Sequence, residues 1–182
     1  MEEKYPWYEL CSVGEGASPA ILQGDLIRAC PLLVPSEKLR SEGDPVQISV
    51  NEYDIVILTQ SCDLVQGNVT NVLVAPFFTL NESLEHTEYG RTSKSKKAFF
   101  DKVKQGAMPN FHLLNIDPSN GIDDFLLVDF RNVYAIHIDF LTEHIKNSQW
   151  VRLNSPYKEH LSQAFARYLM RVGLPMDFRN PF

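Results

Sequence analysis

The sequence predicts a mainly β protein of the α+β class, in which a strongly bent antiparallel sheet carries one basic helix and a packed C-terminal helix. Short apolar runs rich in β-branched residues, bounded by Gly, Pro, Asn and Asp, recur through most of the chain and are typical of strands. Two segments, at 94–105 and 155–172, have apolar residues at helical spacing instead. Together these patterns predict a sheet with few helices.

The composition is that of an ordinary globular protein, with 44% hydrophobic and 22% charged residues. At 182 residues the chain is long enough to bury a core, and we expect a single domain over 1–182. No apolar run approaches the roughly 20 residues that span a bilayer. The N-terminus carries acidic side chains where a signal peptide has a basic region, so a cytoplasmic protein is predicted.

Cysteine usage and net charge narrow the functional classes. Cys11, Cys30 and Cys62 are an odd number without a CxxC pair, which argues against a disulfide framework and against a cysteine-rich zinc site. No metal and no cofactor is predicted. The net charge of −6 disfavours broad electrostatic binding to nucleic acid, although a local basic patch can still support it.

An N-terminal arm over 1–20 precedes a β-rich body over 22–138. The arm is apolar enough to dock on the body, and we expect it to cover a sheet edge. Gly24 and Asp25 predict a turn that leads into a strand. Residues 46–50 alternate apolar with polar side chains, as a half-exposed strand does.

Two buried strands, at 55–59 and 72–75, form the centre of the predicted sheet. Both runs are short, β-branched and apolar, and a polar loop that begins at Gln60 joins them. Loops at strand ends are where scaffolds usually carry function. This loop is therefore the first candidate for a site.

The later elements are predicted from helical spacing, turn residues and apolar runs. A helix near 94–105 is stopped by Gly106 and Pro109. Ser155 as N-cap and Pro156 at the first helical position predict the start of the C-terminal helix. The remaining elements are strands at 111–116, 125–130 and 133–138, of which the last two form a hairpin, a short helix at 139–147, and the C-terminal helix at 155–172.

Cys62 and Asp63 admit three chemical interpretations. In the first, Cys62 is a nucleophile that a histidine such as His112 or His137 activates. In the second, Cys62 and Asp63 join histidines around a metal, although the histidines show no HxH or HxxxH spacing. In the third, Cys62 is a small buried hydrophobe and Asp63 hydrogen-bonds its own loop. The sequence favours the third interpretation and leaves the other two open.

Two groups of polar residues are candidates for binding. The loop after the first buried strand offers hydroxyl and amide groups that can line a polar pocket or hydrogen-bond a nucleotide edge. The basic segment around 94–105 is either a solvent-facing helix face or a surface that contacts phosphates. The candidate binding residues are Thr59, Gln60 and Ser61 in the loop and Arg91, Lys94 and Lys97 in the basic segment.

Three runs follow one another in the first half of the chain: GDLI at 24–27, IVILT at 55–59 and VLVAPFFT at 72–79. Their order resembles that of the PemK/MazF-type toxins, over residues 22–80 only. The resemblance implies a small SH3-like barrel and, for true members, metal-independent RNA cleavage and an antitoxin partner. Thr79 matches the family's hydroxyl residue by position.

Two further points qualify the resemblance. Tyr53 and Asp54 stand where the family has an arginine that supports RNA cleavage, so an oxyanion-stabilising partner is missing. The C-terminal segment SPYKEHLSQAFARYLMRVGLP resembles a helix of an uncharacterised bacterial family, and no activity follows from it. With the barrel that the resemblance implies, the predicted fold is a small SH3-like barrel or a strongly bent antiparallel sheet.

The leading functional prediction is a non-catalytic binding module in a bacterial toxin–antitoxin-like or phage-defence setting. A protein partner is expected, RNA or DNA is the alternative, no membrane is involved and homo-oligomerisation is left open. The second hypothesis is an enzyme, either a PemK/MazF-like endoribonuclease or a hydrolase that uses Cys62 with a histidine; a purely structural interaction protein is the third. The candidate catalytic residues are Cys62, Asp63, Thr79 and His112.

Overall fold

A computed structural model describes residues 6–14, 20–35, 48–85 and 87–170, and the predicted features at other positions lie outside the described residues. The strands are β1 (Tyr8–Ser12), β2 (Asp25–Pro35), β3 (Ile48–Ile57), β4 (Asn71–Thr79), β5 (Phe111–Leu114), β6 (Leu126–Asp129), β7 (Tyr134–His137) and β8 (Gln149–Leu153). The α-helices are α1 (Ser61–Val65), α2 (Leu80–Glu85), α3 (Ser93–Lys104), α4 (Ile138–Ile145) and α5 (Tyr157–Leu169), and 3₁₀ helices lie at Glu88–Arg91 and Pro118–Asn120.

The strands form one antiparallel sheet in the order β1-β8-β2-β3-β4-β6-β5, and β7 pairs with β4 outside this path. The α+β class, the antiparallel sheet and the C-terminal helix are therefore confirmed. The predicted SH3-like barrel is wrong, because the sheet is open. Closing a barrel requires the two edge strands to pair, and within the described residues β1 pairs only with β8 and β5 only with β6.

Strand β3 joins what the sequence divides into two strands. The apolar run at 55–59 and the half-exposed run before it are one strand, Ile48–Ile57. Asn51 and Glu52 lie exposed in its middle, opposite Leu32 and Pro31 of β2. The polar side chains interrupt the apolar pattern, but backbone pairing with β2 continues through them because those hydrogen bonds do not depend on side-chain type.

Strands β6 and β7 do not form the predicted hairpin. β6 pairs with the end of β4 at 77–79, and β7 pairs with the start of β4 at 71–74. The nine-residue length of β4 lets two four-residue strands follow each other along it. The residues between β6 and β7 carry the chain from one of these pairings to the other.

Side chains of the central strands alternate between two cores, as the two-residue period of a strand requires. On one face Val56 and Ala75 pack with Leu161 of α5, and on the other Ile55 and Val74 belong to a cluster that contains α4 residues. A third, smaller cluster of Leu84, Phe99, Val103 and Leu127 forms between α2, α3 and β6.

The two predicted longer helices are present. α3 lies where the basic helix is expected, and its Phe99 and Val103 are buried. α5 begins at Tyr157 rather than at the predicted cap Ser155, whose hydroxyl donates to Glu159 Oε1 at 2.7 Å. Within the residues that the structure describes, no helix is long and apolar enough to cross a membrane.

Candidate functional site

The loop that the sequence ranks first forms a compact turn with its own hydrogen bonds. The Thr59 hydroxyl accepts from the Leu73 N–H at 2.7 Å, and the Ser61 hydroxyl accepts from the Gln23 N–H at 3.1 Å. Gln60 precedes the short helix α1, and its carbonyl accepts from the Asp63 N–H at 3.2 Å. These groups stabilise the connection between β3 and β4, and their role in binding stays a prediction.

Cys62 is exposed on α1, so the interpretation of it as a buried hydrophobe is wrong. Its candidate partner His112 lies on β5, and no hydrogen bond between described residues joins them. His137 accepts from the Asp139 N–H at 3.3 Å and caps α4. Among the described residues, no group of three His, Cys, Asp or Glu side chains is placed to hold a metal ion.

Thr79 lies at the end of β4 and forms a capping box with Glu82 at the start of α2. The Glu82 carboxylate accepts from the Thr79 N–H at 2.8 Å and from its hydroxyl at 2.7 Å, and the Glu82 N–H donates to the Thr79 hydroxyl at 3.2 Å. This reciprocal arrangement satisfies donors at a helix start. The structure thus gives Thr79 a structural role, and a catalytic one stays a prediction.

The basic binding candidates all lie on the surface. Arg91 ends the first 3₁₀ helix, and Lys94 and Lys97 follow on the outer face of α3. All three are exposed, and none takes part in an ion pair with another described residue. Their charges are therefore available to an anionic ligand.

A cleft of about 630 Å³ opens beside α3, between the α2 region and strands β4, β5 and β6. We call it the aromatic cleft. Its volume lies in the range of natural ligand sites, about 300–1,000 Å³. Its lining residues are Phe78, Glu82, Ser83, Thr87, Tyr89, Phe99, Met108, Asn110, Phe111, Leu127, Asp129, Arg131 and Asn132.

Three aromatic rings and a guanidinium group follow one another along the aromatic cleft. The ring centroids of Tyr89 and Phe99 are 5.0 Å apart, and those of Phe99 and Phe111 are 6.0 Å apart. The Arg131 Cζ lies 4.8 Å from the Phe111 ring centroid. A Cβ at Gly90 would lie 2.0 Å from the Leu84 carbonyl oxygen, so only glycine lets the segment of Tyr89 pack this closely on α2.

A buried carboxylate fixes the guanidinium. Asp129 is 4% exposed, and it accepts from Arg131 Nε at 2.8 Å and from Arg131 Nη2 at 2.7 Å. The Arg131 N–H and Asn132 Nδ2 donate to the same carboxylate at 3.0 and 3.2 Å. Hydrogen bonding to Asp129 raises the pKa of Arg131, which is charged in any case. Arg131 thus lies against Phe111 as a preorganised planar cation.

Other polar groups surround the apolar floor of the aromatic cleft. Hydrogen bonds from Thr79 lower the pKa of the Glu82 carboxyl, so that side chain is ionised at neutral pH. Both Thr79 donors bind Oε2, which leaves Oε1 of Glu82 without a bond from them. The amides of Asn110 and Asn132 add donors and acceptors. A ligand here would meet a mainly apolar surface with a few polar groups that fix its orientation.

Sequence reasoning missed this cleft. Asp129 lies in the predicted strand at 125–130 and Arg131 directly follows that strand, and neither residue carries a site signal in the sequence. One signal was available: TLNE at 79–82 has the capping-box pattern that places Thr79 and Glu82 together. The ring positions had no such signal, because they come from separate elements.

Comparison of the chain with models of protein families, with curated proteins and with solved structures gives no match. The resemblance to PemK/MazF-type toxins stays a prediction.

Proposed function

We propose that the protein is a non-catalytic binding module whose aromatic cleft receives an unpaired nucleic-acid base. The observation that carries the proposal is the lining of the cleft by the partly exposed rings of Tyr89 and Phe111, with the buried Phe99 ring packed against both and the Arg131 guanidinium beside Phe111. Stacking of a base on an aromatic side chain contributes about 1–3 kcal/mol of binding free energy, and it does so for any of the bases. A guanidinium held in a fixed plane adds a second stacking surface.

The polar groups of the cleft match the edge of a base. The ionised Glu82 carboxylate can accept from an exocyclic amino group, as carboxylates do from cytosine. Asn110 and Asn132 can pair with ring nitrogens and carbonyl oxygens through their amides. Among the described lining residues, Glu82 has one carboxylate oxygen that Thr79 does not bond, and this oxygen favours bases that carry an amino group.

The neighbouring surface supplies positive charge for a phosphate backbone. Thr87 lines both the aromatic cleft and a cleft that contains Arg91 and Lys96, where Glu85 and Glu88 offset the charge. Beyond it, the outer face of α3 carries lysines with no acidic partner among the described residues. The excess of positive charge on this face favours nucleic acid over a protein partner. A toxin–antitoxin or phage-defence setting stays a prediction.

The test is the binding of short fluorescent single strands of RNA and DNA, followed by anisotropy over a range of salt concentrations. Phe78 lines the cleft and is 38% exposed, so Phe78→Ala should preserve the fold and weaken binding about tenfold. Phe140→Ala is the matched control, because Phe140 is 44% exposed on α4, outside the cleft. Equal affinity of the two variants would refute the base site.

The charge contribution is measured in the same assay. Lys94→Gln and Lys97→Gln should each lower the slope of log affinity against log salt by about 0.7 for a single strand. An unchanged slope would remove the outer face of α3 from the proposal and leave only the aromatic cleft.

The enzyme hypotheses are separated by activity on the same strands. An endoribonuclease acting through Thr79 should lose cleavage in Thr79→Asn, which keeps a helix cap without the hydroxyl. A thiol hydrolase should lose activity in Cys62→Ser. The binding module predicts no cleavage by the wild type and unchanged binding in Cys62→Ser.

A further inference from the structure

A second cleft, of about 290 Å³, shares Phe111 with the aromatic cleft. The end of α3, the strand β5 and one face of α5 form its walls. We call it the basic cleft. Its lining residues are Val103, Lys104, Gln105, Gly106, Pro109, Phe111, His112, His160, Gln163, Ala164 and Arg167.

The charged lining of the basic cleft has one sign. Lys104, His112, His160 and Arg167 are bases, and no carboxylate lines the cleft among the described residues. Glu159 interacts electrostatically with His160 but lies outside the lining, where its carboxylate accepts from the Ser155 hydroxyl. Because the protein carries a net charge of −6, a cleft lined only by bases is a departure from its average surface.

The fold brings these bases together from three elements. His160, Gln163 and Arg167 follow one another at helical spacing on one stripe of α5. Lys104 is the last residue of α3 and His112 is the second residue of β5. No ion pair between described residues uses any of the four bases.

The end of α3 does not use these bases as capping groups. The Gly106 N–H donates to the Val103 carbonyl at 2.9 Å, and the Ala107 N–H donates to the Lys102 carbonyl at 2.9 Å. This pattern satisfies carbonyl groups of the last turn through the backbone. A Cβ at Gly106 would lie 3.6 Å from Arg167 Nη1, which shows how closely the guanidinium approaches the helix end.

His112 is the least exposed of the four bases. Burial, followed by repulsion from His160, lowers the pKa of His112 to about 4. Its ring stacks near the Phe130 ring with the centroids 6.4 Å apart. An anion between the two rings would replace this repulsion with attraction.

We infer that the basic cleft binds a phosphate group, held by the Arg167 guanidinium, the Lys104 ammonium and the imidazoles of His112 and His160. A guanidinium fork matches two phosphate oxygens, and lysine and histidine donate to the others. Charge-assisted hydrogen bonds of this kind are the stronger ones in proteins. The site stands without the proposed function; only its link to a base in the aromatic cleft, through the shared Phe111, rests on that proposal.

Titration of the full chain with inorganic phosphate or sulfate tests the inference, against chloride at matched ionic strength and followed by NMR of the histidine rings. Saturable binding that shifts the His112 and His160 resonances is expected. Lys104→Gln and Arg167→Gln should each weaken it about tenfold. Lys102→Gln is the matched control, because Lys102 is exposed on α3 outside the lining, and it should bind as the wild type does.

Absence of saturable binding, or equal weakening by Lys102→Gln, would overturn the inference. Arg167 and Lys104 are exposed, so these variants test the site even where replacement of His112 disturbs folding. Two further arms identify the source of the phosphate. If a 5′-phosphorylated oligonucleotide displaces inorganic phosphate and the unphosphorylated one does not, the ligand of the site is the phosphorylated end of a strand. If neither oligonucleotide displaces it, the ligand is a free phosphate ion.

The same data separate the two proposals. Loss of inorganic phosphate binding with intact oligonucleotide binding would overturn only the phosphate site. Phosphate binding without any oligonucleotide binding would overturn only the base site of the aromatic cleft.

Discussion

The pair of Asp129 and Arg131 should show a coupling free energy that a double-mutant cycle can measure. The Asp129 side chain is 5% exposed and the Arg131 side chain is 57% exposed. The carboxylate accepts hydrogen bonds from the backbone N–H, Nε and Nη2 of Arg131 and from Asn132. A carboxylate this deeply buried depends on its donors, because an unpaired buried charge is costly.

The magnitude follows from what each variant leaves behind. Arg131→Met removes both side-chain donors and the opposite charge, and it leaves Asp129 buried with the Asn132 amide and one backbone donor. Breaking a fully buried pair costs about 3–5 kcal/mol, and the exposure of the guanidinium reduces this to about 2 kcal/mol. Asp129→Asn leaves a guanidinium that water can solvate, so about 1–2 kcal/mol is expected.

The assay is urea unfolding at neutral pH of the wild type, the two single variants and the double variant. The double variant has no unpaired charge at this site. Its free energy of unfolding should therefore exceed the value expected from the sum of the two single effects by about 1–2 kcal/mol. The matched control is the exposed pair of Arg28 and Asp54, whose coupling should stay below about 1 kcal/mol. Additivity within about 0.5 kcal/mol at Asp129 and Arg131 would refute the reasoning.

Three further predictions concern single side chains. The pKa of His112 is about 4 in the folded protein, below its ordinary value of 6.5. As the pH falls, the unfolded chain therefore binds the proton before the folded protein does. The free energy of unfolding should decrease by about 3 kcal/mol between pH 6.5 and pH 4. Urea unfolding of His112→Gln should lack that decrease, and an unchanged profile would contradict the assignment. Thr79→Ala should lower the free energy of unfolding by about 1 kcal/mol, and Thr79→Asn should recover most of the loss; equal losses in urea would argue against the cap. Cys62 is exposed, whereas burial raises the pKa of Cys30 to about 11. Iodoacetamide labelling followed by peptide mapping should show Cys62 labelled in the folded protein and Cys30 labelled only after unfolding. Similar labelling rates of the two thiols in the folded protein would contradict this prediction.

Elements with a local apolar period could be predicted from the sequence. α3 and α5 each bury one stripe, and the pattern of that stripe is visible in a single segment. The buried runs of β3 and β4 are likewise visible as apolar clusters. The short helix predicted at 139–147 is observed as α4 at Ile138–Ile145.

Pairing between strands could not be predicted in the same way. The tight turn before β7 suggests a hairpin, but the long strand β4 offers both β6 and β7 a partner. The polar residues Asn51 and Glu52 suggest a break that pairing with β2 overrides. Whether the sheet closes depends on edges far apart in sequence, which no local pattern specifies.

The candidate site depends on burial, which is also nonlocal. Asp129 is a polar residue in a predicted strand, and only the packed fold shows that it is buried and holds Arg131. The basic cleft combines the end of α3, β5 and α5, so His112 and Arg167 give no joint signal in the sequence. The polar groups of the loop at 59–63 are contiguous in the sequence, which makes this loop a candidate site. In the fold, the Thr59 and Ser61 hydroxyls accept hydrogen bonds from the backbone N–H groups of Leu73 and Gln23.

The central claim is that ligand binds in the aromatic cleft rather than at the loop beginning with Gln60. The most direct measurement is the mapping of chemical-shift changes across the assigned protein when a short single-stranded oligonucleotide is added. Binding in the aromatic cleft should give the largest changes at Phe78, Tyr89, Phe111 and Arg131. Changes confined to residues 59–63, or no saturable change anywhere, would contradict it.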